Sequence, residues 1–279
     1  MRSFPSEDKN KLKTALTTYM RVTDEDALET IATEMLGTGI FRTFGFGSLM
    51  KVPFSDAEAT RYDATLYGDV MRFNAALINY GGTHEFKNLI LGLEENEDGS
   101  TPGVVSENNI FELAGNTSVD AIIELLKDWQ KRENPENSPC YRFGFKSVQP
   151  MDGGKSVLAI VCITDKEGPL FVGDALSLEQ KAMIIATEFG DDRQRTFSGL
   201  FNAQSNQAYH HKSIRNYMLD CIDARLEKGF PVEKPLLDLL KAVNYMRSQM
   251  PDGEHLYMEQ RESGLLDYRD TRDLSLIHI

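Results

Sequence analysis

The sequence predicts an α+β fold, in which a small mixed β-barrel or curved sheet is surrounded by helices and preceded by a helical N-terminal extension. Apolar residues recur at helical spacing before position 40 and again after position 170. Between these regions, apolar or alternating segments follow one another between turn signals, as strands do. We therefore expect an extension over 1–39, one domain over 40–248 and a polar, poorly ordered tail over 249–279.

The elements follow from local signals. In the extension, Thr23 and Asp26 form a weak capping box, and Gly37 and Gly39 close the helical segment. Strands are predicted at 41–47, 66–77, 88–93, 109–113, 141–148 and 156–163. Most of them are separated by the turn signals Gly81-Gly82, Asp98-Gly99, Pro102-Gly103 and Asp152-Gly153-Gly154.

Helices are predicted in the middle and at the end of the chain. One covers 118–133, capped by Thr117 with Asp120 and stopped by Asn134-Pro135. After position 170, Ser177 and Gln180 form a capping box for a helix that ends at Gly190. Two more helices are expected, at 206–228 and from Pro231 to 248.

The composition excludes several classes of function. The chain carries 43 acidic and 30 basic residues, a net charge of −13, which repels nucleic acid and anionic membranes. The sequence shows no transmembrane segment and no signal peptide. Three cysteines without paired spacing indicate a reducing compartment. We therefore expect a cytoplasmic protein, with export without a signal as the alternative.

The first candidate for chemistry is the segment Gly45-Phe46-Gly47-Ser48. Its glycines follow an apolar strand, where they allow a sharp turn and let a ligand approach the backbone closely. Successive N–H groups of such a turn form an anion-binding nest, with the Ser48 hydroxyl as a further partner. The segment lacks the residues of a dinucleotide fingerprint, a P-loop or a nucleophile elbow. The alternative is a β-bulge or tight turn without any ligand.

The second candidate is Glu133. Val119, Ile122, Leu126 and Trp129 form the apolar stripe of the 118–133 helix, and Glu133 comes one turn later on the same stripe. Partial burial there would raise the pKa of its carboxyl group and make it a better general base. The alternative is a frayed last turn with the side chain in water.

Metal sites and side-chain nucleophiles have weaker support. His210 and His211 are adjacent, so a helix would point them about 100° apart, which does not suit a shared metal ion. No serine or cysteine has a nearby histidine at a spacing that would suggest a catalytic triad, although triad partners can be distant in sequence. The candidates therefore reduce to a loop and a carboxylate.

These two candidates together resemble a known family. The segment Phe44-Gly45-Phe46-Gly47-Ser48-Leu49 resembles the Phe-Gly-Tyr-Gly-Ser-Leu signature of ChaC-like γ-glutamylcyclotransferases. Arg132-Glu133, followed by Tyr141, resembles the Arg-Glu-(several)-Tyr segment of that family, whose glutamate is catalytic. The resemblance extends over about residues 41–243, at low density outside the two motifs.

The resemblance implies a reaction. A γ-glutamyl peptide, with glutathione the first candidate, is cleaved without water when its own α-amine attacks the γ-carbonyl, giving 5-oxoproline and the released amine. Glu133 would be the general acid and base, and Phe44 to Leu49 would bind the substrate. Arg72 faces the substrate carboxylate or lies on the barrel surface, and Tyr141 is either a site hydroxyl or core. Neither a metal nor an organic cofactor is required.

The sequence departs from the family at four places. Phe46 replaces the signature tyrosine, and Gly81 stands where many members have arginine. The stretch 134–140 is longer than usual, and 191–207 resembles an insertion. These differences concern substrate choice. They keep open a catalytically silent module that binds a γ-glutamyl or other small anionic ligand, and an interaction protein that uses the fold as a scaffold.

Overall fold

The computed structural model describes residues 5–50, 60–77, 88–115, 117–133, 140–186 and 214–249. Within them, the strands are β1 (Ile40–Gly45), β2 (Thr60–Leu77), β3 (Asn88–Asn109), β4 (Tyr141–Pro150) and β5 (Val157–Thr164). The helices are α1 (Ser6–Met20), α2 (Glu25–Thr38), α3 (Ile110–Leu113), α4 (Val119–Glu133), α5 (Leu178–Ala186), α6 (Ile214–Glu227) and α7 (Lys234–Ser248). Short 3₁₀ turns occur at Ser48–Met50 and Gly173–Ala175.

The five strands form a closed barrel in the order β1-β3-β2-β4-β5. β1 runs antiparallel to β3 and parallel to β5, and β4 runs antiparallel to both β2 and β5. Because β1 and β5, at the two ends of this order, pair with each other, the described sheet has no open edge. The predicted α+β class with a small mixed barrel is confirmed.

The chain divides into two compact units. The first contains the described parts of Met1–Met71 and Gly92–Leu170, and the second contains those of Arg72–Leu91, Phe171–Phe197 and Tyr209–Ile279. β2 and β3 each have residues in both units. The domain boundaries expected from the sequence remain a prediction.

In the first unit, helices pack on one another and on the barrel. α1 packs against α2 and α4, and α2 packs against β1. Arg42 of β1 joins α2 to the barrel, since it pairs with Glu34 at 2.5 Å and with Glu107 of β3 at 2.7 Å. Burial and the nearby Glu107 carboxylate raise the pKa of Tyr62, which donates to Glu107, to about 12. The N-terminal helices are thus anchored by buried apolar residues and by this ionic group.

The second unit has its own contacts. Phe171 bridges to Ala75 of β2, and the Val172 N–H donates to the Asn74 carbonyl at 2.8 Å. α5 packs mainly against α7. Arg225 of α6 is fully buried and pairs with Glu233, at 2.8 Å, just before α7. This ion pair satisfies a guanidinium that would otherwise be costly to bury.

Several predicted helix signals are confirmed and two are displaced by one residue. In the α5 capping box, the Ser177 N–H donates to Gln180 Oε1 at 2.8 Å, and the Gln180 N–H donates to Ser177 Oγ at 3.2 Å. α2 is capped by Asp24, whose carboxylate accepts from the Ala27 N–H at 2.7 Å, rather than by Thr23. At α4, Ser118 Oγ accepts the Ala121 N–H, one residue after the predicted cap.

The strand predictions were wrong around β3. Asp98-Gly99 and Pro102-Gly103, predicted to be turns, lie inside this single long strand. Gly103 is placed there by close packing, because a Cβ atom would lie 2.5 Å from the Gly45 carbonyl oxygen. The predicted strand at 109–113 is instead the short helix α3, since the Asn109 side chain accepts the N–H groups of Phe111 and Glu112.

Some predictions fall outside the described residues: Gly81-Gly82, the insertion at 191–207, the tail after 250, the end of the α5 helix beyond 186 and the start of the α6 helix before 214. Within the described part of the chain, none of the helices has both the length and the apolar character needed to cross a membrane.

Candidate active site

The loop predicted to bind a ligand begins where β1 ends. Two bend residues, Phe46 and Gly47, connect Gly45 to the 3₁₀ turn Ser48–Met50. The turn is closed by the Met50 N–H, which donates to the Gly47 carbonyl at 2.9 Å. Phe44, Phe46 and Met50 are buried, so these side chains anchor the loop in the core.

Gly45 is required by a close approach within the loop. A Cβ atom at Gly45 would lie 2.7 Å from Leu49 Cβ and 2.9 Å from the Leu49 carbonyl carbon. Its φ lies outside the left-handed region, so space rather than backbone conformation selects glycine here. Gly103 of β3 packs from the other side, against the Gly45 carbonyl and the Phe44 ring. The loop is thus tightly folded between its own end and β3.

Arg61 of β2, which no motif in the sequence marks, holds the other end of the loop. Its Nη2 donates to the carbonyl oxygens of Leu49 at 2.5 Å and Met50 at 3.0 Å. Its Nε donates to Ser106 Oγ at 3.2 Å. An isolated arginine at the start of a strand has no spacing signal, so only the fold reveals this contact.

The strand register brings Tyr141 to the same end of the barrel as the loop. β1 and β5 are parallel through Thr43 and Ile160, and β4 runs antiparallel to β5 with Tyr141 opposite Thr164. The start of β4 and the end of β1 therefore lie at one end of the barrel. Tyr141 itself is buried, with 8% of its surface exposed. This position is compatible with both expected roles of Tyr141, a hydroxyl of the site or a core residue.

α4 packs on the barrel through Trp129. The predicted stripe is confirmed, because Val119, Ile122, Leu126 and Trp129 are all buried. The indole contacts the rings of Phe41 on β1, with centroids 5.4 Å apart, and Phe143 on β4, with centroids 5.1 Å apart. Such aromatic contacts fix the position of the helix more firmly than apolar burial alone.

Glu133 is the last residue of α4, one turn or about 6 Å beyond Trp129 along the helix axis. Its backbone therefore belongs to the turn that follows the indole anchor. The side chains of Glu133 and Ser48 lie outside the described residues, so the predicted burial and pKa of Glu133 remain predictions.

Buried polar side chains line the barrel wall between Trp129 and the loop. Thr43 lies opposite Ser106 in the β1–β3 ladder, and Phe41 lies opposite Asn108. Because paired residues share a face of the sheet, the Trp129 contact with Phe41 places these groups on the side that α4 covers. Asn108 Nδ2 donates to the carbonyls of Phe41 at 3.2 Å and Ser106 at 3.1 Å. The side of the barrel that α4 covers is therefore partly polar, and the hydrogen bonds of Asn108 satisfy part of its buried polar groups.

Arg72 belongs to the second unit, whereas the loop, Tyr141 and α4 belong to the first. It is half-buried on β2, and among the described residues its buried Nε has no hydrogen-bond acceptor. Its predicted contact with a substrate carboxylate remains a prediction. In the described parts of the chain, no group of three or more histidine, cysteine or acidic residues is placed to hold a metal ion.

The match to a known protein family covers the region of the chain that contains these candidate residues. The family model described as ChaC-like protein matches residues 41–209, which include the loop, Glu133 and Tyr141. Two crystal structures of the γ-glutamyl cyclotransferase specific to glutathione from yeast, one selenomethionine-labelled, share the fold at 16% identity. Their TM-scores are 0.52 and 0.53, and the matches cover 74% and 75% of this chain and 96% and 99% of theirs.

A comparison with curated protein sequences gives no significant match. The family model nevertheless spans more than half of the chain, and it spans the same segments that build the described site. The chain therefore belongs to the family of ChaC-like proteins.

Proposed function

We propose that this protein is a γ-glutamylcyclotransferase, with Glu133 as its general acid and base. The main support is that one family match, over residues 41–209, contains both the folded loop and the end of α4. The structural relatives from yeast are specific to glutathione, so glutathione is the first substrate to test.

The proposed reaction needs no side-chain nucleophile. The α-amine nitrogen of the substrate forms a bond to its own γ-carbonyl carbon, and the bond from that carbon to the leaving nitrogen breaks. An α-amine with a pKa of about 8 is mostly protonated at neutral pH, so it must first lose a proton. The carboxylate of Glu133 takes this proton and gives it to the leaving nitrogen, and the second proton that the ring nitrogen must lose passes through the same carboxylate to the released amine. The products are 5-oxoproline and the free amine, without consumption of water.

The loop from Phe44 to Leu49 serves to hold the γ-glutamyl group in this proposal. Ring closure requires the amine and the carbonyl to meet in one orientation, and a preformed site supplies this orientation before the reaction. The tight contact between Gly45 and Leu49 and the buried Phe44, Phe46 and Met50 favour such a preformed loop. Tyr141 is proposed as a further substrate-binding residue at this end of the barrel.

Replacing Glu133 tests the catalytic assignment. The purified protein is expected to release 5-oxoproline from glutathione or another γ-glutamyl compound, as measured by mass spectrometry. Glu133→Gln should lower kcat by about 100-fold or more, because a positioned general base contributes 10²–10⁴. Glu124→Gln is the matched control, since Glu124 lies on the same helix, is exposed and pairs only with Lys127 in the described structure. Equal activity of Glu133→Gln and the control would contradict the assignment.

A binding module of the same fold is the second candidate. It is favoured by Phe46, which replaces the signature tyrosine and whose ring is buried instead of offering a hydroxyl. Calorimetric binding of several γ-glutamyl compounds, with no 5-oxoproline formed over hours, would support this function and exclude the enzyme.

A further inference from the structure

We propose that Arg61 is a positioning residue that sets the shape of the substrate-binding loop. This inference rests on the proposed function, because it assigns to Arg61 a role in substrate binding. Its side chain reaches from the barrel wall to the loop, and among the described residues it donates to Ser106 on the wall and to Leu49 and Met50 of the loop.

The contact with the loop is made to backbone rather than to side chains. The last carbonyl groups of a helical turn lack partners within the turn. At the turn Ser48–Met50, Arg61 Nη2 satisfies two of them, those of Leu49 and Met50. One nitrogen thus holds two successive carbonyl groups. The peptide group that joins Leu49 to Met50 is planar, so its N–H, which donates to the Gly47 carbonyl, is held in the same orientation.

The other end of Arg61 is fixed to the wall. Nε donates to Ser106 Oγ, and Ser106 is buried opposite Thr43 in the β1–β3 ladder. The guanidinium is rigid and planar, so fixing Nε also fixes the position of Nη2. A lysine has a single charged nitrogen and could not reach the wall and the loop from fixed positions at once. The geometry therefore requires arginine specifically.

This contact complements the packing at the start of the loop. Gly45 and Gly103 allow the loop to fold closely against β3, but they supply no attractive contact to its end. Arg61 supplies that contact, with charged donors in a half-buried position. Charged hydrogen bonds are stronger than neutral ones. Because two of the bonds named above go to the loop and one to the barrel wall, we expect their loss to loosen the loop more than it destabilises the barrel.

The test compares Arg61→Met with Arg42→Met. Both arginines are half-buried in the barrel and make several hydrogen bonds, but those of Arg42 run to the carboxylates of Glu34 and Glu107. Arg61→Met should raise KM for the γ-glutamyl substrate by about tenfold or more, the value of one lost charged hydrogen bond, and leave kcat within about threefold. The KM of Arg61→Lys should lie between the KM of the wild-type protein and that of Arg61→Met. Arg42→Met should leave KM unchanged.

Amide hydrogen exchange over residues 46–50 provides a readout that needs no turnover. We expect faster exchange in Arg61→Met but not in Arg42→Met. If the wild-type protein forms no 5-oxoproline, the proposed function fails, and the exchange data still decide the role of Arg61. Wild-type exchange in Arg61→Met, or equal acceleration in both variants, would overturn the inference. If Arg61→Met does not fold, Ser106→Ala removes the wall anchor alone and should change KM and exchange in the same direction, to a smaller extent.

Discussion

Gly45 has no room for a side chain, since Leu49 folds back against it at the end of β1. The resulting turn brings the backbone of Phe46 to Leu49 together at one end of the barrel. A glycine in such a place is commonly explained by an unusual φ angle, but here the close approach of two chain segments is the cause.

Gly45→Ala should therefore destabilise the protein by about 1–3 kcal/mol, the usual cost of overpacking. The gain from a less flexible unfolded chain, about 0.4–1 kcal/mol, is too small to offset contacts of 2.7 Å with Leu49 Cβ and 2.9 Å with the Leu49 carbonyl carbon. Denaturant unfolding measures this change. Gly144→Ala on β4 is the control, because its Cβ would meet only the flexible Ile163 Cδ1 atom, at 2.9 Å. Equal stability of the two variants would show that the loop can relax at no cost.

Phe46, which replaces the signature tyrosine, is a buried core residue of the loop. The sequence indicated only that a hydroxyl group is missing from the signature. In the structure the ring is buried, with 7% of its surface exposed, so it contributes packing to the loop. Its effect on substrate choice remains a prediction.

At the scale of elements, an aromatic anchor near its C-terminal end holds α4 on the barrel. Trp129 contacts Phe41 and Phe143 on two different strands, and Glu133 occupies the next turn. The position of the proposed base is thus linked to the barrel through the indole. A helix held only by small apolar residues would have more freedom to shift along the wall.

Trp129→Leu should lower stability by about 2–4 kcal/mol and also lower kcat/KM by about tenfold or more, since even small misplacement of a catalytic group slows the reaction. Leu126→Ala is the control, because it removes a comparable buried contact about one turn earlier. It should lower stability without a comparable loss of activity at a temperature where both variants are folded. Denaturant unfolding and 5-oxoproline release measure the two effects, and a parallel loss in both variants would contradict a positioning role.

Local signals predicted the caps of α2, α4 and α5 to within one residue. The capping box of Ser177 and Gln180 is confirmed, because both of its hydrogen bonds join residues three positions apart. α3 was missed because Asn109 was read as the start of a strand, whereas its side chain caps a short helix. Whether Asn109 continues a strand or caps a helix depends on where the β1–β3 pairing ends, and that pairing joins residues far apart in sequence.

At the scale of the whole molecule, the barrel carries a charge cluster formed by Asp69, Lys146, Glu95 and Arg142. Asp69 is fully buried on β2, and Lys146 Nζ lies 3.0 Å from its Oδ2. Lys146 also lies 3.4 Å from Glu95, which pairs with Arg142 at 2.8 Å. The cluster connects β2, β3 and β4, so it couples the charge state of the barrel to its stability.

Asp69→Asn should remove a contribution to stability that falls as pH rises. Burial raises the pKa of Asp69, and the Lys146 ammonium only partly offsets this effect. The folded state therefore binds this proton more tightly than the unfolded state does, and its stabilising contribution is lost as pH rises from 3.8 through the raised pKa. The unfolding free energy of Asp69→Asn relative to wild type should increase over that interval, as urea titrations at several pH values would measure.

Glu95→Gln provides a control of opposite sign. Burial raises the pKa of Glu95, but the hydrogen bond and charge of Arg142, with the charge of Lys146, outweigh it, so the pKa is lowered. Its stabilisation is present above the ordinary value of 4.5 and is lost on acidification. The stability of Glu95→Gln relative to wild type should thus fall as pH rises. Trends of the same sign in both variants would contradict these assignments.

The sequence by itself determined the α+β class, the buried stripe of α4, the capping box of α5 and the two motifs that led to the family. Each of these depends on spacing within one segment, which periodicity and local hydrogen bonding control. The tertiary structure alone decided that β3 is one strand, that Arg61 holds the end of the loop and that Tyr141 shares its end of the barrel. These features join residues far apart in sequence, and strand register and barrel closure, rather than local preference, bring them together.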